Sequence, residues 1–519
     1  MHTERKHKQQ DGKNVRQAGT AGTFSKDTGA GQGRDGDAVR HSGRQVCLPA
    51  DGGEPARSTV RAVPVRGGAA KAAADARTVA WQVLETLEKG MSAQEALDTA
   101  LRATLLEGAD KALCTELVYG CLRMEIRIAV VLERVLPQPE KLPRACWLAL
   151  ALAAYAMLFL QKIPHYAIVN WAVNAVQARW GQGLARVVNG ALRSLGRIAE
   201  EAGSLPFYTV PALAGGKKAA ARAARATLAR WYSMPQWIVD IWCSAYGEAA
   251  ARSLLERSFR RPWACLRVNA RHAAMPVLRD AVAAWAREHD EQCVAVGPAG
   301  WAFAAGSAPA ELAGKTLAQW RDEGVMSWQA AGSQVVLAEL GCTQWRVPVW
   351  DACCGQGGKS LFLLEQGVPV RLSSDLHGGR LRRVRGECQR VGVPAPLVMR
   401  ADMTCPPVRH WAGNIILDVP CTGLGTLARR PDIRRHRSYA VLEEMRAVQA
   451  QLLEAAWAVL ACGGELAYIT CALDPQENEA QIAAFVQRHA EAACVREWQT
   501  PHTHPWLEGM YGACLRKCG

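Results

Sequence analysis

Apolar residues at helical spacing mark the early part of the chain. One predicted helix places on a single face the residues Val79, Val83, Leu84 and Leu87. Similar faces recur with short polar joints between them, which is typical of helical bundles. The pattern therefore predicts an all-α domain over residues 72–200.

The segments on either side of this bundle differ from it in composition. Residues 1–71 are rich in Gly, Lys, Arg and Ser with almost no apolar periodicity, which predicts a disordered basic tail. The alanine-rich, basic composition of residues 201–229 predicts a linker with helical character. A short strand within residues 261–270, followed by a helical pattern, then predicts a small α/β domain over residues 230–322.

Strands alternate with helices in the last part of the chain, residues 323–519. The predicted strands are 347–350, 368–372, 397–399, 415–417 and 466–469. This alternation predicts a mostly parallel sheet covered by helices. Ligands of such sheets bind at the carboxyl ends of the strands, so residues at those ends are candidates for a site.

Composition and charge favour a globular protein with an anionic partner. Hydrophobic residues make up 49% of the chain and charged residues 21%. The formal net charge of +14 at pH 7 favours nucleic acid first and a membrane surface second. The uncharged, strongly apolar run of residues 145–160 is shorter than the ~20 residues that span a bilayer, so it predicts a buried helix and no membrane anchor.

The 18 cysteines do not predict a disulfide framework. The first ten residues are charged and lack the apolar core of a secretory signal, which favours a reducing cytoplasm. Cys-x-x-Cys pairs are missing from the sequence, so a structural zinc site is disfavoured and no metal is predicted.

A glycine-rich loop follows the first strand of the last domain, in VWDACCGQGGKS. Asp351 ends the strand, and the glycines before Ser360 allow close approach of the backbone to a ligand. A Walker A loop needs a longer spacing between its first glycine and the Gly-Lys-Ser/Thr that closes it. Here Gly355 lies too near Lys359, so a phosphate-binding NTPase is disfavoured.

Two further acids end the next two strands of this domain. Asp375 lies a little over the ~20 residues expected between a glycine loop and a carboxylate that accepts from ribose hydroxyls. Asp402 is placed where a carboxylate can accept from an adenine amino group. Each acid alone is equally well explained as a turn or N-cap aspartate, but together they favour a nucleoside site.

Two cysteines stand at the ends of two predicted strands. Cys421 follows an apolar run and Pro420, and Cys471 follows residues 465–470. A thiolate can add to C6 of a cytosine and so activate C5 toward methylation, which also requires an acid at the base edge and a group that assists release. Cys471, Asp418 and Cys421 could supply these groups. Spacing does not choose between the thiols, and either could instead be a small buried residue.

Five stretches in the last domain resemble the successive motifs of RNA cytosine-C5 methyltransferases: DACCGQGGKS, SSDLHGGRLRRV, RADMT, ILDVPCTGLGTLARRPDIR and YITCALDPQENEAQI. Earlier stretches, ALCTELVYGCLR, LQKIPHYAIVNWAV and VVNGALRSLGR, resemble a NusB-like RNA-binding module. The chain is thus similar to the RsmB (Sun or Fmu) family, which acts on 16S ribosomal RNA. The resemblance implies a Rossmann-like, class I S-adenosylmethionine-dependent methyltransferase domain after a NusB-like domain.

The resemblance also implies roles for individual residues. Cys471 is expected to be the nucleophile, Cys421 to assist product release, and Asp418 to hold the cytosine edge. The residues expected to hold S-adenosylmethionine are Asp351, Cys353, Cys354, Gly355, Gln356, Gly357, Gly358, Lys359, Asp375, Arg380, Asp402 and Asp418. The residues expected to contact RNA phosphates are Arg429, Arg430, Arg434 and Arg435, for which the alternative is a solvated basic turn. The expected partner is 16S ribosomal RNA, and a monomer is expected.

The chain departs from the family pattern in two places, and rival functions stay open. Gly355 and Gln356 stand where Ala-Pro is usual, and Ala330 stands where an aspartate is common. The rivals are methylation of another RNA or of DNA, and a catalytically inert NusB-type assembly factor. Retention of both cysteines and Asp418 counts against the inert factor.

Overall fold

The computed structural model describes residues 75–212 and 216–519, so the predicted tail over residues 1–71 lies outside the described residues. A helical bundle opens the described chain. Its helices are α1 (Ala76–Leu87), α2 (Ala93–Ala103), α3 (Gly108–Arg123), α4 (Glu125–Val135), α5 (Arg144–Phe159), α6 (His165–Trp180) and α7 (Gln182–Ile198). Helix α5 is buried on nearly all sides between Cys146 and Met157, as the uncharged run of residues 145–160 predicts. Within the described residues, no helix combines the length and apolarity needed to cross a bilayer.

A helix pair follows the bundle. Helix α8 (Gly216–Trp231) occupies much of the predicted linker, and α9 (Gln236–Phe259) comes after a tight turn at Ser233. Helix α9 contains a kink at Gly247, whose φ of +79° is readily adopted only by glycine.

A small antiparallel sheet comes next. Its chain segment contains β1 (Ala264–Val268), α10 (Met275–Glu288), β2 (Cys293–Val296), β3 (Gly300–Phe303), β4 (Glu311–Leu312), β5 (Lys315–Thr316), α11 (Leu317–Asp322) and β6 (Met326–Trp328). The four-stranded sheet has the order β2-β3-β1-β6, and β4 pairs with β5 alone. Strand β6 pairs with β1, so the domain boundary predicted at residue 322 is corrected, because the sheet continues to Trp328.

The last part of the chain is a Rossmann-like domain, which confirms the predicted fold. Its elements are α12 (Ala331–Glu339), β7 (Val349–Asp351), α13 (Gly358–Glu365), β8 (Val370–Asp375), α14 (Gly378–Val391), β9 (Leu397–Arg400), β10 (Asn414–Asp418), α15 (Tyr439–Val459), β11 (Glu465–Thr470), α16 (Glu479–Arg488), β12 (Ala492–Gln499) and β13 (Tyr511–Lys517). The seven-stranded sheet has the order β12-β13-β11-β10-β7-β8-β9. Strand β13 is antiparallel to both neighbours, and the other pairings are parallel.

The sheet brings the predicted site residues to one edge. Asp351, Asp375 and Asp418 are the last residues of β7, β8 and β10, and Cys471 directly follows β11. Because these four strands are parallel, their carboxyl ends share one edge, where ligands of such sheets bind.

Candidate active site

Two half-buried thiols meet at the carboxyl edge of the sheet. Strands β10 and β11 are hydrogen-bonded neighbours, so the loops that follow them are adjacent. The Sγ atoms of Cys421 and Cys471 lie 3.3 Å apart, and the backbone N–H of Cys471 donates to the Cys421 sulfur at 3.3 Å. This separation is within hydrogen-bonding distance for two sulfurs.

The surroundings shift the pKa values of the two thiols in opposite directions. A hydrogen bond from Cys421 lowers the pKa of Cys471, and the cations Lys359 and Arg430 act in the same direction, against burial and the nearby Asp418 carboxylate. The same hydrogen bond and burial raise the pKa of Cys421 well above its usual value. Cys471 is therefore the thiol favoured as a thiolate, with Cys421 as the hydrogen-bond donor beside it.

A salt bridge connects the glycine loop to the strand that precedes Cys421. Lys359 Nζ donates to Asp418 Oδ2 at 2.5 Å, with 11% and 32% of the two side chains exposed. Burial alone would lower the pKa of Lys359, but the Asp418 carboxylate raises it above its ordinary value. The ammonium is thus held charged beside the thiols, while Asp418 keeps an accessible face.

Two residues that the sequence reasoning missed hold the Cys421 loop in place. The buried carboxylate of Glu477 accepts from the Thr422 backbone N–H at 2.9 Å, from the Thr422 hydroxyl, and from Gln449 Nε2 at 2.8 Å. Gln449 also donates to the Pro420 carbonyl at 2.9 Å. Glu477 lies in the stretch YITCALDPQENEAQI, which the sequence comparison had singled out. Its role in holding the Cys421 loop follows only from its buried position and its hydrogen bonds in the structure.

The glycine loop closes onto the acid at the end of β8. The Gly355 N–H donates to Asp375 Oδ2 at 2.9 Å, and the His377 N–H donates to Asp375 Oδ1 at 2.8 Å. Gly355 and Gly357 have φ angles of +58° and +83°, in the left-handed region that favours glycine. Arg380 approaches Asp375 at 3.9 Å from the first turn of α14.

The other predicted cofactor residues surround this loop. Asp402 is exposed, and its Oδ1 accepts from the backbone and hydroxyl of Thr404. The exposed Gln356 accepts from Arg383 at 3.1 Å. Burial raises the pKa values of Cys353 and Cys354 far above the usual range, so these thiols stay neutral. They are lining groups rather than nucleophiles.

Asp351 is fully buried beneath the loop. Its Oδ2 accepts from the Ser360 hydroxyl at 2.6 Å, whereas within the described residues its Oδ1 has no hydrogen-bond partner. An unpaired buried oxygen and three carboxylates at successive strand ends suit a ligand with ribose hydroxyls, an amino group and a positive charge. The residues present therefore fit a nucleoside sulfonium cofactor.

Asp351 should make the stability of the unliganded protein depend on pH. Burial raises its pKa to about 7 from 3.8, so the folded state keeps a proton that the unfolded chain loses between about pH 4 and pH 7. Stability from this group is therefore greatest at low pH and falls as pH rises through that window. The difference in pKa corresponds to at most about 4 kcal/mol.

Urea unfolding of the wild type and Asp351→Asn at pH 5 and pH 8 measures this contribution. The variant should lose less stability than the wild type on going to pH 8, because its amide does not titrate. Asp322→Asn, at an exposed aspartate, serves as the control and should behave as the wild type. Equal losses in wild type and Asp351→Asn would contradict the assignment.

The four arginines predicted to contact RNA have different environments. Arg430 is exposed and close enough to favour the Cys471 thiolate. Arg429 donates to the Trp263 carbonyl at 3.0 Å and pairs with Glu508. Arg434 is buried, and Arg435, with 18% of its side chain exposed, pairs with Glu88 and Glu125 of the bundle. The predicted RNA contacts of these two residues are corrected, because one guanidinium is enclosed and the other is already paired with two carboxylates.

Glu508 compensates for one departure from the family pattern. Ala330 precedes α12 and cannot cap it with its methyl side chain. Glu508 Oε2 instead accepts from the Gly332 N–H at 3.0 Å, so a carboxylate still reaches the start of this helix. Next to it, Gln329 Nε2 donates to the Gly358 carbonyl at 3.0 Å and contacts the glycine loop.

Comparison with known proteins identifies relatives of both halves of the chain. The NusB family matches residues 74–197, and the family described as 16S rRNA methyltransferase RsmB/F matches residues 343–508. A Synechocystis sp. protein named "Probable ribosomal RNA small subunit methyltransferase B" is 30% identical over 451 residues, covering 84% of this chain and 95% of that protein. "Ribosomal RNA small subunit methyltransferase B" of Escherichia coli O6:K15:H31 is 30% identical over 455 residues, covering 84% and 95%.

A solved structure extends the similarity to the fold. The protein PH0851 has a TM-score of 0.65 and 19% sequence identity, covering 85% of this chain and 98% of that chain. At this identity the likeness concerns the fold alone, and it includes the arrangement of most of the described chain.

Proposed function

This chain belongs to the RsmB/F family of rRNA methyltransferases, and from that premise we propose that it methylates C5 of a cytosine in 16S ribosomal RNA through a covalent bond to Cys471. The observation that carries the proposal is the pair of thiols beside Asp418. Their Sγ atoms lie 3.3 Å apart, and their pKa values are shifted in opposite directions. One thiol is suited to attack and the other to assist departure.

Addition of the Cys471 thiolate begins the reaction. Its sulfur forms a bond to C6 of a cytosine that has left its stack, and the electron pair of the C5–C6 bond becomes available at C5. Asp418 accepts from the amino edge of the base, while the Lys359 ammonium beside it stabilises negative charge that develops on the ring. C5 is then nucleophilic enough to take a methyl group.

S-adenosylmethionine, when bound, supplies an electrophilic methyl group for transfer to C5. The residues proposed to hold its nucleoside are the glycine loop, Asp375 and Asp402, with Asp351 beneath the loop. Lys359 belongs to both parts of the site, since it lies in the loop and pairs with Asp418.

Cys421 completes the cycle. Once Cys471 is bonded to C6, it no longer accepts the Cys421 hydrogen bond. The largest of the causes that raise the pKa of Cys421 is thereby removed, and this thiol can release its proton to solvent. The Cys421 thiolate then takes the C5 proton, the C5–C6 double bond re-forms, and the Cys471 thiolate leaves. The Cys421 thiol again donates to it, as in the resting site.

Bisulfite sequencing of ribosomal RNA from cells that lack the protein tests the substrate. One 16S cytosine should lose its methyl group, and re-expression of the wild type should restore it. Re-expression of the Cys471→Ala variant should not. If no 16S cytosine changes, the proposed target is wrong, and a change confined to another RNA would transfer the same chemistry to that RNA.

A further inference from the structure

The segment between Cys421 and α15 packs on the helical parts of the protein. Leu424, Leu427 and Ile433 share one hydrophobic core with α8 and α9, including Trp242 and Leu254. Each of these side chains is buried. The shape of this active-site segment therefore depends on residues that lie far from the Rossmann-like sheet in sequence.

Arg434 joins this segment to three separate backbone segments. Its Nη1 donates to the carbonyls of Arg123, at the end of α3, and of Ser233, in the α8–α9 turn, at 2.9 and 2.8 Å. Its Nη2 donates to the Ser258 carbonyl near the end of α9 at 3.3 Å. Only 8% of the residue is exposed. A charged group so enclosed and so widely bonded fixes the relative positions of the segments that it joins.

Two neighbours of Arg434 bond to the bundle as well. Asp432 Oδ2 accepts at 3.2 Å from the N–H of Ala93, the first residue of α2, where the helix dipole favours an anion. Arg435 pairs with Glu125 at the start of α4 and with Glu88, at 2.9 Å each. We call Asp432, Arg434 and Arg435 the interdomain clamp.

Short links connect the interdomain clamp to the thiols. Arg123 of α3 donates to the Ala428 carbonyl at 3.1 Å, and the Gly425 N–H donates to the Cys471 carbonyl at 2.9 Å. Trp242 of α9 donates to the Leu473 carbonyl at 3.0 Å. The loops that carry both thiols are thus each held by the helical parts of the chain.

We infer that the interdomain clamp consists of positioning residues, through which the helical bundle sets the geometry of Cys421 beside Cys471. The inference rests on the proposed function, and it gives the bundle a part in the chemistry in addition to any RNA contact. Arg434 and Arg435 touch neither thiol. They act through the segment between Cys421 and α15, to which they belong.

The interdomain clamp can be separated from an RNA-binding role by kinetics on the full-length protein. We expect Arg434→Lys to lower kcat by about 10²-fold, because displacements of about 1 Å have effects of this size, with little change in KM for RNA. Arg435→Gln should lower kcat less and keeps the test available if Arg434→Lys does not fold. Arg488→Gln, at an exposed arginine paired with Glu454, is the matched control and should leave kcat unchanged.

A second readout is the covalent protein–RNA adduct that survives denaturation. A displaced Cys421 should slow release, so both clamp variants should accumulate adduct although Cys421 is present. A rise in the KM for RNA with unchanged kcat in the clamp variants overturns the inference. So does a loss of activity that is proportional to the loss of folded protein and gives no adduct. Adduct in Cys421→Ala but not in the clamp variants overturns this inference alone, whereas no adduct in Cys421→Ala overturns the proposed function with it.

Discussion

Replacement of Cys471 by Ala should abolish methyl transfer, whereas replacement of Cys421 by Ala should leave the protein joined to its RNA. Without the Cys471 sulfur no bond to C6 can form, and C5 stays unreactive. Without the Cys421 sulfur the addition still occurs, but the C5 proton has no adjacent acceptor, and the group that would hydrogen-bond the departing thiolate is gone. Loss of a group that acts in proton transfer costs about 10²–10⁴-fold in rate.

Denaturing gel electrophoresis with labelled RNA and the methyl donor measures both outcomes. Cys421→Ala should give a slowly migrating band that protease removes, and Cys471→Ala should give neither band nor methylated RNA. Cys462→Ala, at an exposed cysteine between α15 and β11, is the control and should behave as the wild type. A band in Cys471→Ala and none in Cys421→Ala would exchange the two roles.

The architecture of the catalytic domain was predictable because its signals are local. Strands β7, β9, β10 and β11 each contain a short apolar run. Asp351, Asp375 and Asp418 mark the ends of β7, β8 and β10. The parallel topology then places these ends at one edge without further information. The pairing of β10 with β11 brings Cys421 to Cys471 for the same reason.

The supporting contacts were not predictable because their partners are far apart in sequence. Arg434 and Arg435 lie in one basic run of the sequence. In the structure, however, Arg434 is enclosed by backbone carbonyls, whereas Arg435 pairs with glutamates of the bundle. Glu508 caps the helix after Ala330 from the opposite end of the domain. The charge pattern is common to solvated and buried arginines, and only tertiary packing separates them.

The acidity difference between the thiols is a further property that the sequence did not contain. Spacing left the choice between Cys421 and Cys471 open, and the resemblance supplied it. In the structure, Lys359 and Arg430 both favour a Cys471 thiolate. Lys359 nevertheless precedes Cys421 by three strands and a helix, and Arg430 follows it. The structure therefore offers a physical reason for a choice first made by resemblance.

Asp418→Asn should lower kcat by about 10³-fold with a smaller effect on the KM for RNA. The amide keeps the size of the side chain, but it cannot hold the charged Lys359 Nζ as the carboxylate does at 2.5 Å. It also presents an NH2 group where the cytosine amino group needs an acceptor. Both losses act on the ring while charge develops, so single-turnover methyl transfer should slow more than RNA binding weakens.

The same variant separates the two roles expected for Asp418, at the cytosine edge and in the cofactor site. If Asp418 acts on the base, the KM for S-adenosylmethionine should stay near that of the wild type and less adduct should form when Asp418→Asn is combined with Cys421→Ala. If it acts on the cofactor, that KM should rise, and saturating S-adenosylmethionine should restore the adduct to the level of Cys421→Ala, because the adduct that persists is the methylated one. Asp322→Asn, at an exposed aspartate, should change neither quantity.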